Sequence, residues 1–287
     1  MASKDLGTPM KISICNELFQ GWPIEEVFAY VARLGYNGVE IAPYTLADSV
    51  TDISPRRRRQ IKEAAGKCRI EIVGLHWLLV KPEGLHISHP DEFIRIKTQE
   101  YIEALIHFCA DIGGKMLLHG SPHQRTIHED WSFEECWDFA KQTFKVCLRV
   151  ASKRNVIYCI EPLLRASTNF VNTIEDALRF VREMNHPQFQ MMFDCRNAWA
   201  EEETAATALV RALTSGHLRH IHVNDANGSG PGCGDMKFLP MLKILLENRY
   251  RGYLSVEVAG SDPDPRTVAS TSIGYLKGLM EPFLSCA

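Results

Sequence analysis

Four side chains able to bind a metal ion or move a proton stand at corresponding places in the second half of the chain: Glu161, Asp194, His222 and Glu257. Each comes at or near the end of a short apolar, β-like run: VIYCI before Glu161, MMF before Asp194, LRHI before His222 and LSV before Glu257. Three carboxylates and one imidazole form a hard oxygen and nitrogen donor set. Such a set suits Mn²⁺, Mg²⁺ or Co²⁺ better than a sulfur-seeking ion. Four protein ligands would leave about two octahedral positions for substrate oxygens or water. Taken singly, each residue reads as a surface or salt-bridged group; the repetition at four successive runs is what points to a site. Pro162 holds Glu161 extended, as a strand end requires, and a charge directly after MMF or LSV is costly without a partner. His220 shares a strand face with His222 but lies further from the strand end, so it reads as a buried, hydrogen-bonded neighbour. His217 belongs at the opposite rim.

Four side chains can meet only if their strands converge. The sequence alternates β-like runs with longer helical patterns: strands at Lys11–Cys15, Gly38–Ala42, Ile70–Leu75, Lys115–Leu118, Val156–Ile160, Phe189–Phe193, Leu218–Val223 and Tyr253–Val256. Helical periodicity or capping follows each, over 23–34, from Ser54–Pro55, and over 92–112, 133–152, Thr173–Met184, 201–214, Met236–Glu247 and 266–281. Eight strand–helix units without an interrupting linker specify an α/β fold, a single (β/α)₈ TIM barrel. Residues 10–287 are read as that one domain and 1–9 as a flexible N-terminal tail. An open, doubly wound sheet is the competing arrangement, weakened because no GxGxxG follows the first strand. The longest connections, 42–54, 76–91, 119–132 and 224–235, all follow strands and would cover the face where barrel chemistry occurs.

Composition narrows the function classes. A 287-residue chain with 45% hydrophobic and 23% charged residues can build a large core, which excludes disordered, collagenous and coiled-coil classes. A net charge of −3 disfavours nucleic acid as a partner. No apolar run approaches the ~20 residues of a membrane span. No secretory pattern is seen at the start, so a cytoplasmic location is expected. Nine scattered cysteines without a CxxC pair argue for buried thiols rather than a disulfide framework or zinc ribbon. A homo-oligomer is left open.

The segments EPLLRASTNFVNT, FDCRNAW, HIHVNDANGSGPGCGDMKF and GYLSVEV, with GYNGVEIAPY and GLHW nearer the start, resemble the xylose-isomerase-like sugar isomerases and epimerases. The resemblance covers roughly residues 10–282. It implies that Glu161, Asp194, His222 and Glu257 hold Mn²⁺ or a similar ion, which in turn holds the carbonyl and hydroxyl of a sugar. It also implies that two glutamates exchange a proton through an enediolate. Chemistry supports that expectation: a metal bound to both oxygens stabilises the enediolate charge. Carboxylates on opposite faces, Glu161 and Glu257, can then remove and return the proton. The ketose 3-epimerase pattern is broken at three places. Asn197 stands where that pattern has histidine, Gly228 where it has arginine, and Ser167 where it has glutamate.

Softer candidates for sugar contact are His76, Trp77, His119, Arg165 and Asn197. His76 and His119 also match, in place, ligands of the related endonuclease IV enzymes. Glu40 on the second strand points into the barrel or to its rim and reads as an ion-pair partner of Arg or Lys, Arg56–Arg59 reads as a solvated helix face, and NGSGPGCGD as a flexible rim loop. The competing functions are a lyase or dehydratase of a keto-polyol, an endonuclease IV-like repair enzyme, and a non-catalytic sugar-binding module.

Overall fold

Eight short parallel strands pair in chain order and the first pairs with the last. They are β1 (Lys11–Cys15), β2 (Gly38–Ile41), β3 (Glu71–Leu75), β4 (Met116–His119), β5 (Ile157–Ile160), β6 (Phe189–Asp194), β7 (Leu218–Val223) and β8 (Tyr253–Val256). Because β1 bonds to both β2 and β8, the sheet is a closed barrel without an edge, which rules out the open sheet. The computed structural model describes residues 10–201 and 204–284. The tail expected at 1–9 and the cysteine at 286 lie outside the described residues.

Every strand falls within one residue of its expected bounds. The helices are α1 (Ile24–Leu34), α2 (Pro55–Lys67), α3 (Glu92–Ile112), α4 (Phe133–Arg154), α5 (Ile174–Met184), α6 (Cys195–Glu201), α7 (Ala205–Thr214), α8 (Leu239–Glu247) and α9 (Pro265–Leu284). Local chemistry sets their ends. The Ser54 hydroxyl accepts the Arg57 N–H ahead of Pro55, and Thr173 with Asp176 forms a capping box. Gly35 closes α1 at φ 88°, a left-handed conformation that glycine adopts without a Cβ penalty. The largest difference from expectation follows β6, and the helix expected from Met236 begins at Leu239. The sequence pattern over 201–214 resolves into α7, capped by Thr204, while α6 begins directly after Asp194. Propensity missed α6 because its seven residues, CRNAWAE, are too few to show a helical period.

Strand alternation sorts the side chains into two layers. Leu118, Cys159 and Met192, with Met116 and Ile157, form a small cluster of their own inside the barrel. A much larger cluster packs the sheet against the helices. Two residues beyond Leu118, Cys159 and Met192 come Gly120, Glu161 and Asp194, on the same inward face at the C-terminal rim. In the β6–β7 ladder, a register shift at Met191/Met192 brings Asp194 opposite His222. No described helix is long and apolar enough to cross a membrane. The described cysteines are free thiols, most of them buried.

Candidate metal and proton-transfer site

Glu161, Asp194, His222 and Glu257 converge at the rim, each with a ligand-type atom within 4.8 Å of those of the other three. Glu161, Asp194 and His222 are almost fully buried, and the Glu257 side chain keeps 18% exposure. Each is held by its neighbours. Asp194 Oδ1 accepts the Asn197 backbone N–H at 2.7 Å, a contact that exists because α6 starts at once after the strand. Its Oδ2 accepts the Asn224 amide at 2.8 Å. Glu161 Oε1 accepts the Asn197 side-chain amide at 3.1 Å, and the same amide reaches the Pro162 carbonyl at 3.2 Å. Arg125, fully buried, donates to the Glu161 carbonyl oxygen at 2.7 Å. Glu161 fits only because position 120 is glycine, since a Cβ there would lie 2.1 Å from Glu161 Oε2.

His222 is gripped on both sides, with Nδ1 3.0 Å from Glu257 Oε2 and Nε2 2.9 Å from Glu40 Oε2. Glu40 Oε1 lies 2.5 Å from His220 Nε2. Glu40 is therefore a buried partner of two histidines on β7, and the reading of an ion pair with Arg or Lys is corrected. The sign was legible in principle: Glu40 alternates with the outward Val39 and Ile41, so it had to face the barrel interior. On the other side, His76 Nδ1 lies 3.5 Å from Glu257 Oε1 and 3.9 Å from Glu17 Oε2. Acid and imidazole thus alternate across the barrel: Glu17, His76, Glu257, His222, Glu40, His220.

These contacts drive the two glutamates apart in acidity. Burial pushes the Glu161 carboxyl well above the usual range, and the Glu257 charge adds to the shift. Burial acts on Glu257 too, but the charges of His222 and His76 outweigh it and hold that carboxyl well below the usual range. Asp194 is pushed up to about 6 by burial and the Glu257 charge. Burial opposes a charged His222, yet Glu257 and Glu40 more than compensate and raise its pKa well above normal. Burial lifts Glu17 to about 8, against the pull of His76.

A cavity of about 120 Å³ opens onto the cluster, lined among others by Trp77, Glu161, Asp194, Arg196, Asn197 and Glu257. Trp77 also lines a neighbouring cavity of about 360 Å³ with Glu17, Tyr44 and Val258. Of the softer candidates, His76, Trp77 and Asn197 therefore border the site. His119 does not: it is fully buried on the outer face of β4, hydrogen-bonded to the Tyr158 hydroxyl and packed on Phe144 of α4. Strand alternation turns it away from Leu118 and Gly120, which do line the cavity. Arg165 does not either; its side chain is 64% exposed and pairs with Glu201 at 3.3 Å. With His119 turned outward and the Asn197 amide spent on Glu161, the further histidine ligands of an endonuclease IV-like centre are not assembled.

The arginine run is only partly the solvated helix face expected: Arg56 and Arg59 are exposed, while Arg57 and Arg58 are half-buried in ion pairs. Arg57 pairs with Glu25, and Arg58 with Asp111. The glycine-rich loop is fastened rather than free. The Asp225 carboxylate accepts the Met236 N–H at 3.1 Å, and the Gly228 carbonyl accepts the Ala259 N–H at 2.8 Å. Sequence reasoning missed Glu17, Gly120, Arg125, Arg196 and Asn224. Only Asn224, two residues after His222 on the same strand face, carried a readable signal.

A family model described as a xylose isomerase-like TIM barrel matches residues 28–279. The 3-dehydro-D-guloside 4-epimerase of Escherichia coli (strain K12) is 24% identical, over 93% of this chain and 99% of its own. The D-psicose 3-epimerase of Ruminiclostridium cellulolyticum is 24% identical over 79% of this chain and 75% of its own. The crystal structure of an apo 3-keto-D-glucoside 4-epimerase from E. coli superposes with a TM-score of 0.82 at 23% identity, covering 94% of this chain and 100% of the other.

Proposed function

Because the chain belongs to the xylose isomerase-like TIM barrel family, we propose that it is a divalent-metal-dependent epimerase that moves a proton at the carbon beside a sugar carbonyl. The observation that carries this reading is the pair Glu161 and Glu257. They reach one cavity from β5 and β8, within a cluster of four ligand-type side chains, with acidities displaced in opposite directions. Two carboxyl groups of differing acidity that reach one carbon are what a proton abstraction and return requires. The names of the relatives agree: carbon 4 of a 3-dehydro sugar and carbon 3 of a 2-ketose both adjoin the carbonyl carbon.

The donor set fits a Mn²⁺, Mg²⁺ or Co²⁺ ion held by Glu161, Asp194, His222 and Glu257. Glu40, 2.9 Å from His222 Nε2, would accept the proton there, so that Nδ1, which faces Glu257 at 3.0 Å, would be the nitrogen that ligates, an arrangement that raises ligand basicity. When bound, the ion would polarise the carbonyl and stabilise an enediolate. The protein's own groups do the rest. Glu257 and Glu161 reach the cavity from β8 and β5, so that one carboxylate removes the proton from one face of the sugar carbon and the other supplies one on the opposite face. Asn197 fixes the Glu161 carboxyl, and Trp77 offers a ring face for stacking. Arg196, whose Cζ would lie 3.8 Å from a Cβ at Gly228, brings a cation to the cavity from α6, beside the position where the ketose 3-epimerase pattern has its own arginine.

A screen of Mn²⁺-loaded protein in D₂O against 2-ketoses and 3-keto glycosides tests the reading. Deuterium should enter beside the carbonyl, and the epimer should form. Exchange accompanied by loss of a β-hydroxyl would make the enzyme a lyase. No exchange with any substrate would leave a binding protein.

A further inference from the structure

Next to the four-residue cluster lies a second group of ligand-type atoms that shares only Glu257 with it. Cys15 Sγ, a ring nitrogen of His76 and a carboxylate oxygen of Glu257 lie within 4.8 Å of one another. Cys15 ends β1 and His76 follows β3, and both are 1% exposed. Neither ring nitrogen of His76 makes a hydrogen bond with the described residues. A buried imidazole left so is costly unless a ligand takes up its nitrogens. The ring is nevertheless aimed, with Nδ1 3.5 Å from Glu257 Oε1 and 3.9 Å from Glu17 Oε2.

We propose that Cys15, His76 and Glu257 form a second metal site for a thiophilic divalent cation of the Zn²⁺ class. Thiolate, imidazole and carboxylate are the donors such an ion takes, in tetrahedral geometry. With bonds of about 2.0–2.3 Å, neighbouring ligand atoms must sit about 3.3–3.8 Å apart. The His76–Glu257 pair already does, at 3.5 Å. Glu257 is oriented to bridge, since Oε1 turns toward His76 and Oε2 toward His222. Paired metals ~3.5–4 Å apart are commonly linked in this way. A rival triad, Cys15 with Glu40 and His222, also falls within 4.8 Å. It is disfavoured because its groups already satisfy one another: His222 Nε2 and Glu40 Oε2 at 2.9 Å, with the Cys15 thiol donating to Glu40 Oε2 at 3.5 Å. In this assignment His76 is a metal ligand rather than a donor to the sugar.

Chelator-stripped protein titrated with Co²⁺, then freed of unbound metal, tests the site without any substrate. Two ions per chain should remain, with a near-ultraviolet sulfur-to-cobalt charge-transfer band. Cys15→Ser should lose the band and one ion. Asp194→Asn should keep the band while weakening the other ion, which separates failure of this site from failure of the first. If Cys15→Ser does not fold, His76→Ala should still show the loss of one ion. One ion without a thiolate band in the native chain, or a band that survives Cys15→Ser, overturns the proposal.

Discussion

Replacing Gly120 by alanine should damage the site more than a single methyl group suggests. The added Cβ would lie 2.1 Å from Glu161 Oε2, and ordinary contact begins at 3.4 Å, so the carboxylate must retreat by about 1.3 Å. It cannot do so freely. Its Oε1 is held by the Asn197 amide at 3.1 Å, and its backbone carbonyl by Arg125 at 2.7 Å. A displacement of about 1 Å at a reacting group costs on the order of 10²-fold in rate. Gly120 has no left-handed backbone that alanine would strain, so the fold should tolerate the change. The assay is kcat/KM for α-proton exchange beside Mn²⁺ affinity and the thermal midpoint. A loss of about 10²-fold in exchange, with weakened metal binding and a midpoint near that of the native chain, is expected. Native exchange and native affinity would refute the claim that Glu161 acts from its present position.

Three further outcomes follow from the same geometry. Glu40→Gln should weaken Mn²⁺ binding by about 10–100-fold in a competition titration, because His222 Nε2 loses the carboxylate that orients it. Metal affinity should rise as pH climbs through about 6, where Asp194 gives up its proton to bind the ion. In the metal-free chain the sign reverses: a carboxyl raised to about 6 from roughly 3.9 when unfolded favours the fold below pH ~4, and that benefit fades as pH rises through 6. Melting curves with and without Mn²⁺ across that range check both signs. Arg165→Ala should leave kcat/KM within about twofold of native, since an exposed ion pair contributes little; a tenfold loss would place Arg165 in the site.

The sequence showed the barrel clearly because each strand is a short apolar run bounded by a helix signal, and eight such units leave few topologies. It showed the four rim residues because the strand ends bring chemically alike positions to one axis. What it hid depends on orientation within those elements. His119 was judged by closeness to a strand end, whereas alternation turns it outward; Glu40 was given Arg or Lys as its partner, whereas the barrel sets it between two histidines of β7. Glu17, Arg125 and Arg196 reach the site through loop or short-helix backbone that no periodicity describes. Gly120 matters only through the empty volume it leaves for Glu161.

Solvent deuterium exchange in Glu161→Gln and Glu257→Gln variants that still carry Mn²⁺ decides whether these two carboxyl groups remove and supply the protons of a metal-held sugar. Each should lose exchange by roughly 10²–10⁴-fold at measured metal occupancy. Native-rate exchange in both metal-loaded variants would contradict the account and place the base elsewhere.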